Sequence, residues 1–397
     1  MFVYGLSGMR PHPRMVAPVG LSTVVGHCHS RPGLVRGGSD DARHAGTARG
    51  GDRYRCSPAP IRQPIFGGAY RRCRCRGLCG RIGHSFPVGD EAASVLSATR
   101  PLPSLFAELS RVDAVHAVYY LFLHHWVAVF GASDFAVRFP SAIAAGFAAA
   151  GTVVVGRQLF SARIGILAGL VLTVMPQFTR MGMEGRSYAL GIATAVWLTS
   201  HLITTIRRGG HQRRSWILYA IGVAAAIYLF LYLVLLLIVH LVMILSARLP
   251  VRTQLRWAKS VGAGLLLATP ILLLGITRRR QIAFLAHRDY APLHSVLVGQ
   301  WLGSTAFAVL AWTLVVGLLG AVQRRHRGPG MGALTIFAWL TIPTAVLLAG
   351  NAFITPMYSP RYLTFGAPAA AILIALGIHT ISHRLVVLSI GWLSLHC

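Results

Sequence analysis

The sequence predicts an all-α protein, a polytopic helical membrane bundle of about nine to eleven spans with interfacial helices in its first outer loop. Three observations predict it. Of the 397 residues, 54% are hydrophobic and 12% charged, with a mean hydropathy of +0.59, whereas soluble domains carry about 25% charged residues. From Phe139 onward, apolar runs of helix length follow one another with short loops between them. Those loops alternate in charge, as they do when a chain threads back and forth through a bilayer.

Residues 1–83 differ from the rest. They are rich in Arg, Gly, Pro, Cys and His and hold no apolar run long enough for a helix. The first eight residues are too short an apolar stretch for a signal peptide and lack its basic start. The segment reads as a disordered basic tail or, because Arg, Gly, Pro and Ala codons are GC-rich, as an out-of-frame stretch. No packed domain is expected in it. Cys73, Cys75 and Cys79 with His84 do not have the spacing of structural zinc sites.

Residues 84–138 read as an extracytoplasmic loop. A short helix over 91–98 takes Asp90 as its N-cap, and Pro101 and Pro103 end it. Residues 105–109 and 115–130 are amphipathic, and Tyr119, Tyr120, Phe122, Trp126 and Phe130 suit them to the membrane interface. The bundle occupies 139–397. Spans are expected near 139–157, 163–179, 187–206, 216–230, 231–247, 260–276, 295–322, 331–350, 362–381 and 385–397. The stretch 216–247 fits two short helices or one long tilted one. Pro176, Pro270, Pro343 and Pro368 kink or stop the spans that hold them.

Charge gives the topology. The net charge is +28, and Lys259 is the only lysine. The arginines beyond the tail mostly cluster in short loops, at Arg157/Arg163, Arg207 to Arg214, Arg248 to Lys259, Arg324 to Arg327 and Arg384. Those loops are cytoplasmic by the positive-inside rule, and nucleic acid is not needed to explain the charge. Asp90, Glu91, Glu108, Asp113, Asp134, Glu184 and Asp289 all fall on the other, extracytoplasmic side. Arg278, Arg279 and Arg280, with Arg288 nearby, break the rule; a miscounted span, snorkelling or binding of an anionic lipid head group accounts for them.

On the acidic side stand, in order, Gly89-Asp90-Glu91, then Asp113-x-x-His116-x-x-Tyr119-Tyr120, then Phe135-Ala136-Val137-Arg138-Phe139-Pro140. Glu184-Gly185-Arg186-Ser187-Tyr188 follows a Pro-terminated helix, and Arg361-Tyr362 opens a late one. This series resembles the GT-C glycosyltransferases related to protein O-mannosyltransferases and the lipid A aminoarabinose transferase, in particular actinobacterial members described as mannosyltransferases. The resemblance covers about 84–382. Two family features are missing: a membrane helix just before the acidic pair, and the region beyond the last spans. It implies an integral hexosyltransferase of the plasma membrane that moves a sugar, mannose by family, from a polyprenyl-phosphate donor. Transfer goes with inversion to an acceptor hydroxyl on a protein, glycolipid or cell-wall glycan.

The resemblance makes Asp90 the general base and Glu91 a second acid; alone, Glu91 is also a favourable charge at a helix start. Transfer needs a base for the hydroxyl proton and a stabiliser for the departing phosphate. Asp113 and His116 share a helical face. They position a substrate, supply two ligands to a divalent metal, or form a polar pair at the interface. Tyr119 and Tyr120 read as interfacial anchors or sugar-stacking rings. Glu184 and Arg186 lie near the membrane boundary, where charge is costly. Arg186 and Arg361 match a phosphate bidentately, with Tyr188 and Tyr362 beside them. No Walker motif is present. A lipid or sugar transporter and an inactive remnant are the competing readings, but the carboxylates gather at one face and no internal repeat is seen.

Overall fold

The computed structural model describes residues 89–109, 116–277, 293–323, 330–354 and 357–394. The cysteines before His84, Asp113, the arginines at 278–280 and Asp289 lie outside them. Among the described residues every regular element is helical. These are α1 (Gly89–Ala98), α2 (Leu102–Leu109), α3 (Ala117–Phe130), α4 (Asp134–Leu159), α5 (Ala162–Val174), α6 (Pro176–Met183), α7 (Tyr188–Arg207), α8 (Arg213–Leu229), α9 (Leu236–Ser246), α10 (Val251–Leu267), α11 (Thr269–Thr277), α12 (Thr305–Gln323), α13 (Met331–Phe353) and α14 (Ala367–Ser394). Short 3₁₀ segments, Leu231–Leu235 and Pro360–Gly366, precede α9 and α14.

The fold is the expected helical membrane bundle, with fewer full spans. Among the described residues, four helices are long and apolar enough to cross a membrane, or up to six if each of two bent pairs is one span. The other apolar segments, Ala117–Phe130, Leu231–Ser246 and Thr305–Leu319, are shorter.

Local chemistry explains where the boundaries moved. The first long helix begins at Asp134, not at Phe139, because Ser133 caps it and accepts from the Ala136 N–H at 3.2 Å. Pro140 then falls inside the helix and leaves the Ala136 carbonyl without its i+4 donor. The Trp126 indole N–H donates to that carbonyl at 2.7 Å, which pins α3 to α4. The single span expected at 163–179 is broken at Pro176, where α5 and α6 bend by 66°. The stretch 216–247 forms two short helices. The spans expected at 362–381 and 385–397 are one helix, α14, since neither glycine nor proline interrupts residues 378–390. Asp90 lies in the first turn of α1, which starts at Gly89, and so is not its N-cap.

α4 crosses α5 closely: a Cβ on Gly156 would lie 2.7 Å from the Gly165 Cα. Small residues permit such approach where lipid gives no hydrophobic drive. Most of the buried residues form one core through α4, α5, α7, α8, α9, α13 and α14. A second cluster, Ala98, Leu105, Tyr119, Tyr120, Leu123 and Val137, seats α1–α3 on the start of α4.

The basic loops lie at one end of the helices and Glu91 and Glu184 at the other, where Arg138, Arg180, Arg186 and Arg361 accompany them. At one end, Arg207 donates to the Gln158 carbonyl, and Arg256 Nη1 and Trp216 Nε1 donate to the Gly210 carbonyl at 2.8 and 2.9 Å. Gly209 and Gly210 make the intervening turn with φ of +81° and +66°, a region other residues avoid. These bonds gather the basic ends of α4, α7, α8 and α10. Glu91 and Glu184 lie together at the opposite end, where α7 begins and α8 finishes.

Candidate active site

The site is built around Glu184-Gly185-Arg186-Ser187, the loop between α6 and α7. Pro176 turns α6 away from α5, and α6 ends at Met183, so this loop enters the bundle at its acidic end. Glu91 on α1 reaches it: the Gly185 N–H donates to Glu91 Oε1 at 3.1 Å. Arg138, one turn into α4, grips the same carboxylate through Nε and Nη2, each at 2.8 Å. A side chain on Gly185 would meet Val137 at 2.5 Å and Glu91 Oε1 at 3.2 Å, so glycine is what lets α1, α4 and the loop close together.

Arg138 is thereby the partner of Glu91. Burial alone would push the Glu91 carboxyl up. The Arg138 hydrogen bonds, the Gly185 N–H and the Arg138 charge outweigh it and hold the group below its ordinary value. Glu91 is therefore an ionised tether of α1. Glu184 is buried at 8% exposure. Burial raises its carboxyl above the ordinary value, opposed in order by the charges of Arg361, Arg186 and Arg180 and helped by that of Glu91.

These opposite shifts have opposite signs in the pH dependence of stability. Glu91 contributes stability above the ordinary carboxylate value of 4.5 and loses it as pH falls through its lower folded value. Glu184 is more readily protonated in the fold, so it costs stability as pH rises from 4.5 toward its raised folded value. Thermal unfolding in detergent across acidic pH is the measurement. Glu91→Gln is expected to flatten the decline below that value and Glu184→Gln the decline above it. A pH profile that neither variant changes would contradict both assignments.

The remaining site residues approach from other helix ends. His116 stands just before α3 and is buried; its Nδ1 and Ser187 Oγ share a hydrogen bond at 3.2 Å. Arg186 Nη1 donates to Ser94 Oγ at 3.4 Å, and its guanidinium lies 5.8 Å from the centre of the Tyr188 ring. Ser141 Oγ donates to the Arg186 carbonyl at 3.2 Å. Arg361 and Tyr362 come from the 3₁₀ segment before α14, which packs on α7. The structure thus brings Glu91, His116, Glu184, Arg186, Tyr188, Arg361 and Tyr362 to one end of the bundle. The side chain of Asp90 lies outside the described residues, as does Asp113.

Tyr119 and Tyr120 are 1% and 2% exposed. Their rings pack in the smaller core and offer no face for anchoring in water or stacking on a sugar. The sequence assigned no role to Ser94, Ser187, Arg180, Phe230 or Tyr232. The last two come from the α8–α9 corner, and their rings meet His116, Tyr188 and Tyr362. The one signal was their spacing of two, out of register with a helix. Among the described residues no three of His, Cys, Asp and Glu gather as metal ligands.

Residues 116–274 match the family model described as dolichyl-phosphate-mannose-protein mannosyltransferase. The match begins at His116 and includes the Phe135–Pro140 and Glu184–Tyr188 runs; Asp90, Glu91, Asp113, Arg361 and Tyr362 lie outside it. Among solved structures the chain is similar to ArnT from Cupriavidus metallidurans in the apo state, with a TM-score of 0.48, 14% identity, and coverage of 76% of this chain and 58% of that one. It is also similar to the same protein bound to undecaprenyl phosphate, with a TM-score of 0.45, 15% identity, and coverage of 76% and 62%. The chain spans less than two thirds of the length of either. No curated protein matches it.

Proposed function

We propose that the chain is a membrane hexosyltransferase that moves a sugar, mannose by its family likeness, from a polyprenyl-phosphate donor to an acceptor hydroxyl at the extracytoplasmic face. The observation that carries this reading is that Arg186, bonded to Ser94 on α1, and Arg361, from the 3₁₀ segment packed on α7, stand at the same end of the bundle, where their charges bear on the buried carboxylate Glu184. Arginines from separate segments fit a phosphate that arrives with its own lipid anchor, because guanidinium groups match phosphate oxygens in pairs.

In this mechanism Asp90 takes the proton from the acceptor hydroxyl. The hydroxyl oxygen attacks the anomeric carbon from the face opposite the phosphate, and the carbon–phosphate oxygen bond breaks. Configuration inverts, and the polyprenyl phosphate leaves with its new charge on Arg186 and Arg361. Glu91 is not the base, being tied to Arg138 and Gly185; it fixes the helix that carries Asp90. A divalent ion would find its candidate ligands in His116 and Asp113, and no step here runs through one.

The acidic end is extracytoplasmic in this proposal, by the positive-inside rule. In a variant stripped of native cysteines, exposed Asp134→Cys is expected to react with a membrane-impermeant thiol reagent added to intact cells. Arg213→Cys, exposed at the other end, is expected to react only after lysis. The reverse pattern would invert the topology and remove the site from the outer face.

A further inference from the structure

The tripeptide Phe230-Leu231-Tyr232 forms the corner between α8 and the 3₁₀ segment that precedes α9. α8 stops at Leu229, and Phe230 takes an extended backbone with φ −156° and ψ 106° before the 3₁₀ segment begins. That corner points two rings into the acidic end of the bundle. Phe230, at 2% exposure, stacks on His116 at 6.0 Å with planes 20° apart and meets Tyr188 edge-on at 5.8 Å. It also lies 6.3 Å from Tyr362. Tyr232 sits 5.6 Å from Phe230 and stacks on Tyr362 at 4.5 Å with planes 17° apart.

Each ring contacted belongs to a different chain segment, and each has a functional neighbour. Tyr188 follows Ser187 and Arg186, Tyr362 follows Arg361, and His116 holds Ser187 by a hydrogen bond. Arg186 and Arg361 are 175 positions apart in sequence, as their numbers give, and come from a loop and a 3₁₀ segment. The rings of Phe230 and Tyr232 bridge these segments. Rigid aromatic faces have preferred geometry, and small errors in the placement of reacting groups are costly.

We infer that Phe230 and Tyr232 are positioning residues: a clamp that holds the His116, Arg186 and Arg361 segments in one register, so that the two arginines reach a single phosphate. This rests on the transferase reading of the same site. The clamp works through ring faces, so the Tyr232 hydroxyl is dispensable to it.

Two measurements test it. The first is independent of activity: thermal unfolding of Tyr232→Leu, Tyr362→Leu and the double variant. Non-additive shifts are expected for stacked rings, and additive shifts would overturn the clamp. The second is binding of polyprenyl phosphate, without sugar, to the full chain in nanodiscs. Tyr232→Leu and Phe230→Leu are expected to weaken it about 10- to 100-fold, while Tyr232→Phe leaves it unchanged. Equal binding by Tyr232→Leu and wild type, or equal losses in Tyr232→Leu and Tyr232→Phe, would overturn the role assigned to the ring. Coupling in the first measurement together with no binding by the wild-type chain would sink the transferase reading while supporting the clamp.

Discussion

Asp90→Asn is expected to reduce sugar transfer by about 10²- to 10⁴-fold, the contribution typical of a positioned general base. The substitution keeps size and hydrogen bonding but removes the proton acceptor. It is also expected to leave the fold intact, because the tether of α1 is the neighbouring Glu91. Its two bonds from Arg138 and one from the Gly185 N–H do not involve position 90. The loss therefore belongs in kcat, with donor binding and thermal stability near wild type. Single-turnover transfer with labelled lipid donor checks this. Full activity in the Asn variant would remove Asp90 from the mechanism. Glu91→Gln gives the contrast: its defect should appear first as a change in stability with pH.

Arg361→Ala is expected to lower kcat/KM for the lipid donor by about 10²- to 10³-fold, as for the loss of a charge-assisted contact to a developing oxyanion. Arg361→Lys should fall between, because it keeps the charge but not the planar fork. Glu184 gives a second reading of the same variant. Arg361 is the strongest influence holding that buried carboxyl down, so its removal should drive Glu184 further toward the protonated form. An infrared carboxylic-acid band that grows in Arg361→Ala and vanishes when Glu184→Gln is added would report it. An unchanged carboxyl together with unchanged donor kinetics would dissociate Arg361 from both the site and the phosphate.

The sequence carried the fold class because membrane burial is written in composition and in loop charge, and both survive without any knowledge of packing. It also carried the breaks at Pro176 and Pro270, since proline acts locally. It misplaced the start of α4, because the cap at Ser133 and the Trp126 bond to the Ala136 carbonyl together tolerate Pro140 inside a helix. Charged site residues were legible for a related reason: Glu184, Arg186 and Arg361 stand out against apolar chain. Phe230 and Tyr232 did not, since an aromatic ring in an apolar run looks like any lipid-facing residue. Nor could the pairing of Glu91 with Arg138 be read, since it depends on α1 folding back onto the start of α4.

The most direct test is donor use by the chain itself. The protein, reconstituted in nanodiscs, is given radiolabelled polyprenyl-phosphate mannose, polyprenyl-phosphate glucose or a nucleotide sugar, with a membrane extract as acceptor source. The expected result is label passing from a polyprenyl-phosphate sugar, and not from the nucleotide sugar, into a product of inverted anomeric configuration. No transfer from either lipid donor, with the intact labelled lipid instead crossing the bilayer of sealed proteoliposomes, would contradict it and make the chain a transporter.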